Sequence, residues 1–313
     1  GREFVSGGGP WTAWEGTLIA GKWMESLGYS VKVFWSQKTP VRQDGPDSAA
    51  NWREPVLVLS RGSASDIYFT AGQSSEFGRL SPSLYGATVY RFDGNNVNRI
   101  TLPRGNAADH TLTESWRLGI DENGVAAGSL DITVTGGWTN IVSNGNLPSV
   151  EDAADDIQRT IAFSVPGIRF ETASVSQSGS GYRMTFRVRA PLGIVSGKDI
   201  LMRIPGGVPV TFGDIPNDNE GFVFCFPFVF EQNIVISTPK GYRTVALPAK
   251  TQHGDSKAMI GESIVHWERK SRLEASSKWI VRSAAIDQTL AKRILDQLAL
   301  ARGWAQMTVP LRK

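Results

Sequence analysis

The chain has 313 residues, 41% hydrophobic and 20% charged, with 33 Lys+Arg against 30 Asp+Glu and therefore a net charge of +3. That composition supplies two moderate cores and, with 33 unphased Gly and 16 Pro, excludes intrinsic disorder, collagen and coiled coil. No dense basic run stands out, which argues against a nucleic-acid partner. No apolar run reaches the ~18–20 residues of a membrane helix. The longest, from Phe222 to Phe230, is broken by Pro227. The first residues, Gly1-Arg2-Glu3-Phe4-Val5, lack the apolar stretch of a signal peptide, which leaves any export signal upstream. One Cys and three His exclude an internal disulfide and argue against a zinc site, so no metal or cofactor is expected.

In chain order, Thr12 with Glu15 three residues on has the spacing of a capping box. Leu18, Ile19, Trp23, Met24 and Leu27 recur at helical spacing, and Gly28 stands where a helix ends. Residues 29–35 read as a strand, followed by a polar loop over 37–50. Hairpins are expected around Arg61-Gly62-Ser63 and around Asp93-Gly94-Asn95-Asn96.

Beyond about residue 105 the texture becomes mostly β. A hairpin over 110–134 turns at Asp121-Glu122-Asn123-Gly124. Ser149 caps an expected helix with Glu151 and Asp152 in its first turn and Ile157 and Ile161 inward. Strands are expected at 168–176, 182–190, 200–204, 223–230, 233–237 and 264–273. An amphipathic helix follows over 284–301, with Ile286, Leu290, Ile294, Leu295 and Leu298 inward, and then a last strand over 306–311. The expected fold class is α+β, with residues 1–104 as one domain and 105–313 as an antiparallel β-sandwich carrying helices near 150–162 and 284–302.

The helix body from Thr17 to Tyr29, opened by a Trp-flanked turn and closed by Gly28, resembles the transglutaminase-like branch of the papain-type cysteine enzymes. Later features extend the likeness. They are Leu102-Pro103, the hairpin from Glu114-Ser115-Trp116 to Gly128, the run Phe226-Pro227-Phe228-Val229-Phe230-Glu231, and Ser237-Thr238-Pro239-Lys240-Gly241-Tyr242 before Ala246-Leu247-Pro248. Their order is similar to bacterial transglutaminase-like proteins of the DUF3857/DUF3858 type. The resemblance implies a partial transglutaminase-like core, a following β-rich domain, an extracytoplasmic (periplasmic) location, and an N-terminal part of the same protein lying before residue 1.

In that family a Cys opens the helix, where the positive end of the macrodipole favours thiolate. A His from the next strand is the base, and an Asp from the strand after orients it. The corresponding residues here are Ala13, Glu54 and Ala71. The family's Gly two residues before the nucleophile is Trp11, a further departure. All three catalytic positions are thus degenerate, and a pseudoenzyme that binds or scaffolds a protein or glycan ligand is the favoured expectation. An active acyl-transfer enzyme whose nucleophile has been replaced by Ala13 is the rival, although that replacement explains only one loss of three. A third reading takes Trp11, Trp14 and Trp52, three of the ten tryptophans, as a glycan-binding surface beside the vacant cleft. Trp23, Trp35, Trp116 and Trp267 are instead expected in the core.

Other motifs read as structural. Cys225 is flanked by aromatics and expected to be an inert buried thiol. His110, His253 and His266 have no partner at motif spacing. Gly7-Gly8-Gly9 lacks the Lys-Ser/Thr of a phosphate loop, Ser178-Gly179-Ser180-Gly181 reads as a turn, and the acids from Glu151 to Asp156 lack calcium-loop spacing.

Overall fold

The computed structural model describes residues 13–37, 52–64, 66–70, 80, 84, 87–94, 96–103, 105–139, 149–152, 155, 165–178, 181–205, 222–223, 227–255, 259–268, 271–282, 285–286 and 308–313. The chain divides into two compact units, Gly1–Gly105 and Asn106–Lys313. Most of the described structure is β, antiparallel and mixed, in an α+β arrangement.

In the first unit, helix α1 (Ala13–Ser26) is followed by strands β1 (Ser30–Gln37), β2 (Trp52–Ser60), β3 (Ile67–Phe69), β4 (Thr88–Asp93) and β5 (Asn96–Thr101). They form one sheet in the order β3-β2-β1-β4-β5, with every neighbouring pair antiparallel. The helix ends as its sequence dictates. Gly28 sits at φ +84°, its N–H donates to the Glu25 carbonyl, and the Tyr29 N–H donates to Met24. This closure gives the Glu25 carbonyl its partner, adds a second donor to the Met24 carbonyl, and requires the left-handed conformation glycine adopts without strain. One sheet face carries a core of Phe34, Val56, Val58 and Val89 with Leu80, Leu84 and Leu102.

The other face receives α1 through small residues. Thr17 and Gly21, four apart, are buried, and a Cβ on Gly21 would just touch Val31 (3.5 Å) and Leu57 (3.6 Å). The close seat turns the larger side chains outward. Trp23, expected in the core, is 58% exposed, and Leu18 and Leu27 are exposed as well. Trp35 is only half-buried. The side chain of Trp267 and the proposed cap at Thr12 lie outside the described residues.

The second unit contains β6 (Thr111–Ile120), β7 (Val125–Val134), β8 (Arg169–Ser178), β9 (Gly181–Pro191), β10 (Gly193–Ser196), β11 (Asp199–Arg203), β12 (Phe222–Val223) and β13 (Phe228–Ser237). β14 (Arg243–Thr244), β15 (Thr251–Asp255), β16 (Met259–Glu268), β17 (Arg272–Val281), β18 (Ala285–Ile286) and β19 (Thr308–Arg312) complete it. Eight strands form a sheet in the order β15-β16-β17-β13-β6-β7-β9-β8, mixed because β13 and β6 run parallel. A second sheet, β10-β11-β19-β14, buries Ile200, Met202, Val309 and Leu311. It meets the first at the β6–β7 turn, where the Gly193 N–H donates to the Gly124 carbonyl at 2.8 Å. The result is a β-sandwich whose larger sheet is filled by cross-strand rows such as Val265–Ala275–Ile234–Trp116–Leu130–Phe186. From Tyr182 to Pro191, β9 alternates buried residues with exposed or half-buried ones, as the two-residue period of a strand dictates.

Three expectations change. The strands placed at 223–230 and 233–237 are a two-residue pairing at β12 and one continuous β13, because Gln232 enters the interior beside Glu114 instead of breaking the strand. The single strand at 264–273 is a hairpin of β16 and β17, whose turn carries Ser271 at φ +62° and contains no Gly or Pro to announce it. Ala285 and Ile286 are extended and pair with β12, so they do not belong to the expected helix, whose remainder lies outside the described residues. Ser149 does cap helical residues 150–152, accepting the Asp152 N–H at 3.1 Å.

Candidate functional site

The first candidate is the N-terminal end of α1. Ala13 is the first helical residue and Trp14 the second. β1 follows the helix after a short turn and runs back beside it. Its last residues pair with the start of β2, Ser36 opposite Glu54 and Gln37 opposite Trp52. The topology therefore carries Ala13, Trp14, Trp52 and Glu54 toward one end of this layer. Trp11 and Ala71 lie outside the described residues, as do the side chains of Ala13, Trp14, Trp52 and Glu54. Thr70, immediately before Ala71, is buried.

The histidines take different positions. His110 is buried beside the 3-10 turn Ala107–Asp109, and its Nδ1 accepts the Gly137 N–H at 2.9 Å, a structural role. His266 is exposed on β16 opposite Glu274. His253 belongs to β15, with its side chain outside the described residues, as is Cys225 altogether. Among the described residues no group of three His, Cys, Asp or Glu is placed to hold a metal, and no helix is long and apolar enough to cross a membrane.

Two carboxylates on the eight-stranded sheet have shifted ionisation. Glu114 occupies an inward position between Leu112 and Trp116. Its Oε2 accepts from Gln232 Nε2 at 2.7 Å and from Trp116 Nε1 at 3.1 Å. Burial pushes the Glu114 carboxyl above the usual range, opposed by those two hydrogen bonds. The row continues as Gln232–Ser277–Ser263, and the two serine hydroxyls are 3.1 Å apart. Gln232 is 1% exposed, and its Oε1 has no hydrogen-bond partner among the described residues.

Asp131 faces outward from β7. Burial opposes its ionisation, but hydrogen bonds from Thr185 (2.7 Å) and Arg183 (2.8 Å), with the charges of Arg183 and Arg117, outweigh it and hold the carboxyl below its usual range.

Beside Asp131 lies an open groove of about 790 Å³ on the outer face of β6, β7, β9 and β8. Its floor is made of small residues, among them Ala127, Gly128, Ser129 and Ser174, and Arg117 and Arg187 stand on its sides. The cross-strand register sets Arg117, Ser129 and Arg187 in one row. Gly128 is required there, since a Cβ would run into the Arg117 backbone carbonyl. Sequence reasoning missed both the Glu114 row and this groove. Their signals were present as an acid at an inward position of an alternating strand and as Arg183, Arg187 and Arg189 at outward positions of β9.

No protein-family model matches the chain, and no curated protein matches it. Among solved structures the chain is similar to the crystal structure of a "putative protease" from Parabacteroides distasonis, with 8% sequence identity and a TM-score of 0.44. The match covers 92% of this chain and 41% of that one, so this chain spans less than half the length of that protein. A likeness of that size does not define an activity.

Proposed function

We propose that the chain acts by binding, as a transglutaminase-like scaffold that has lost its Cys/His/Asp machinery and serves outside the cytoplasm as part of a longer protein. The observation that supports this reading is Ala13 at the first residue of α1. A methyl group there can neither attack a carbonyl nor carry a proton. Glu54, in the strand that follows β1, corresponds by the resemblance to the family's His and offers a carboxylate in place of an imidazole. The location, the expected N-terminal part and the reading of residues 1–104 as a remnant of a transglutaminase-like core rest on the family resemblance alone.

The test supplies the missing nucleophile. In an acyl-transfer enzyme a thiolate attacks a glutamine carboxamide, ammonia leaves, and the thioester passes its acyl group to a primary amine. The Ala13→Cys protein is expected to incorporate no labelled amine into a glutamine-containing peptide, because base and orienting group are absent too. Turnover by that single variant would overturn the proposal in favour of an enzyme whose nucleophile alone had been replaced.

A further inference from the structure

We propose that the outer face of β6, β7, β9 and β8 is a docking site for an extended acidic polypeptide segment. This goes beyond the loss of catalytic machinery proposed at the end of α1 and stands or falls separately from it. Five arginines project from this face, Arg117 from β6, Arg169 from β8, and Arg183, Arg187 and Arg189 from β9, all exposed. Asp131 engages two of them, Arg117 and Arg183. The other acid of the groove, Glu171, sits where the β8–β9 register shifts between Phe170 and Thr172. Arg169, Arg187 and Arg189 make no ion pair among the described residues.

The register adds a second observation. Arg169 lies directly opposite Arg189 across the β8–β9 ladder. Like charges in directly opposed positions work against sheet formation, so the pair is a cost to the unliganded fold that a bound anion would cancel. The arrangement also selects the kind of anion. Outward residues on β9 repeat at about 6.6–6.8 Å, and Arg117 and Arg187 stand two strands apart, roughly 9.6 Å. Carboxylates at alternate residues of an extended chain repeat at the same interval as the β9 arginines. The flat floor of Ala127, Gly128 and Ser129 lets a backbone approach. Among the described residues the groove's lining includes one aromatic residue, Phe186, whose ring is fully buried on the inner side, so they offer no aromatic platform to a sugar or a nucleobase.

The probe is a fluorescent peptide of alternating Glu and Ser, titrated with the full chain and followed by anisotropy at low and moderate salt. Saturable, salt-sensitive binding is expected. It should weaken at least about tenfold in Arg187→Glu/Arg189→Glu and stay unchanged in Arg243→Glu, a reversal of an exposed arginine in the other sheet. Because reversal could impair folding, Arg187→Thr/Arg189→Thr is measured alongside, threonine being well suited to a strand. Arg189→Thr should also raise the thermal midpoint of the unliganded chain by relieving its opposition to Arg169. Unchanged affinity in both double variants would overturn the proposal. So would binding of a single-stranded oligonucleotide or a sulfated polysaccharide in place of the peptide, or an Arg189→Thr midpoint no higher than the parent's.

Discussion

The two sheets that dominate the two units spend their sequences differently. In the five-stranded sheet both faces of β2 are apolar and one of them is covered by α1 through the small pair Thr17 and Gly21. In the eight-stranded sheet the inner face admits a polar row, Glu114–Gln232–Ser277–Ser263, and the outer face carries arginines beyond what its acids neutralise. A search guided by the family resemblance looks at the end of α1, where a methyl group stands. The charge, the groove and the shifted carboxylates lie on the other sheet.

Substitutions can break this contrast, beginning with the largest effect. Trp116→Ala removes a fully buried ring from the middle row of the large sheet and should cost about 3–5 kcal/mol in denaturant unfolding. Next comes the Glu114 row. A carboxyl whose folded pKa is raised holds its proton more tightly in the native state, so the parent loses stability as pH rises upward from about 4.5, its ordinary value. Glu114→Gln should flatten that decline, and an unchanged slope would show that the decline originates elsewhere. Asp131 has the opposite sign. Its lowered pKa contributes stability above the ordinary range that is lost as pH falls, and Asp131→Asn should remove that acid-side loss.

Smaller effects are expected in the first unit. Gly28→Ala forces a Cβ into the left-handed region at φ +84° and should cost about 1–2 kcal/mol. Gly21→Ala sharpens the contrast, because the added methyl only touches Val31 and Leu57. Replacing a mid-helix glycine should therefore stabilise by up to ~1 kcal/mol, whereas a bulkier residue would lift α1 off the sheet.

Much of the strand order along the chain was legible because turn residues announce it. Gly62, Gly94 and Gly124 all take positive φ in the turns where the sequence placed them, and Gly28 closes the helix as its position implied. What was hidden involved partners distant in sequence. Nothing local to Gln232 says that Glu114, 118 residues earlier, will meet it in the interior, so the strand was cut there. The turn at Ser271 has no Gly or Pro, and two strands were read as one. Trp23 looked like a core residue because periodicity identifies a helix stripe without saying which side is seated, and the small residues won that side. The arginines of β9 were visible singly, but their opposition to Arg169 exists only in the paired sheet. The candidate site at α1 came from resemblance, which assigns Ala13 a lost role without supplying a ligand.

The central claim is that the end of α1 has lost its base and orienting group as well as its nucleophile. The most direct measurement is the pH dependence of alkylation of an Ala13→Cys thiol, with Cys225→Ser as background. The account predicts an apparent pKa no more than about one unit below the free thiol value of about 8.5, the shift a helix terminus alone supplies. A value several units lower would reveal a base or strong positive field still poised at the helix terminus, and would contradict it.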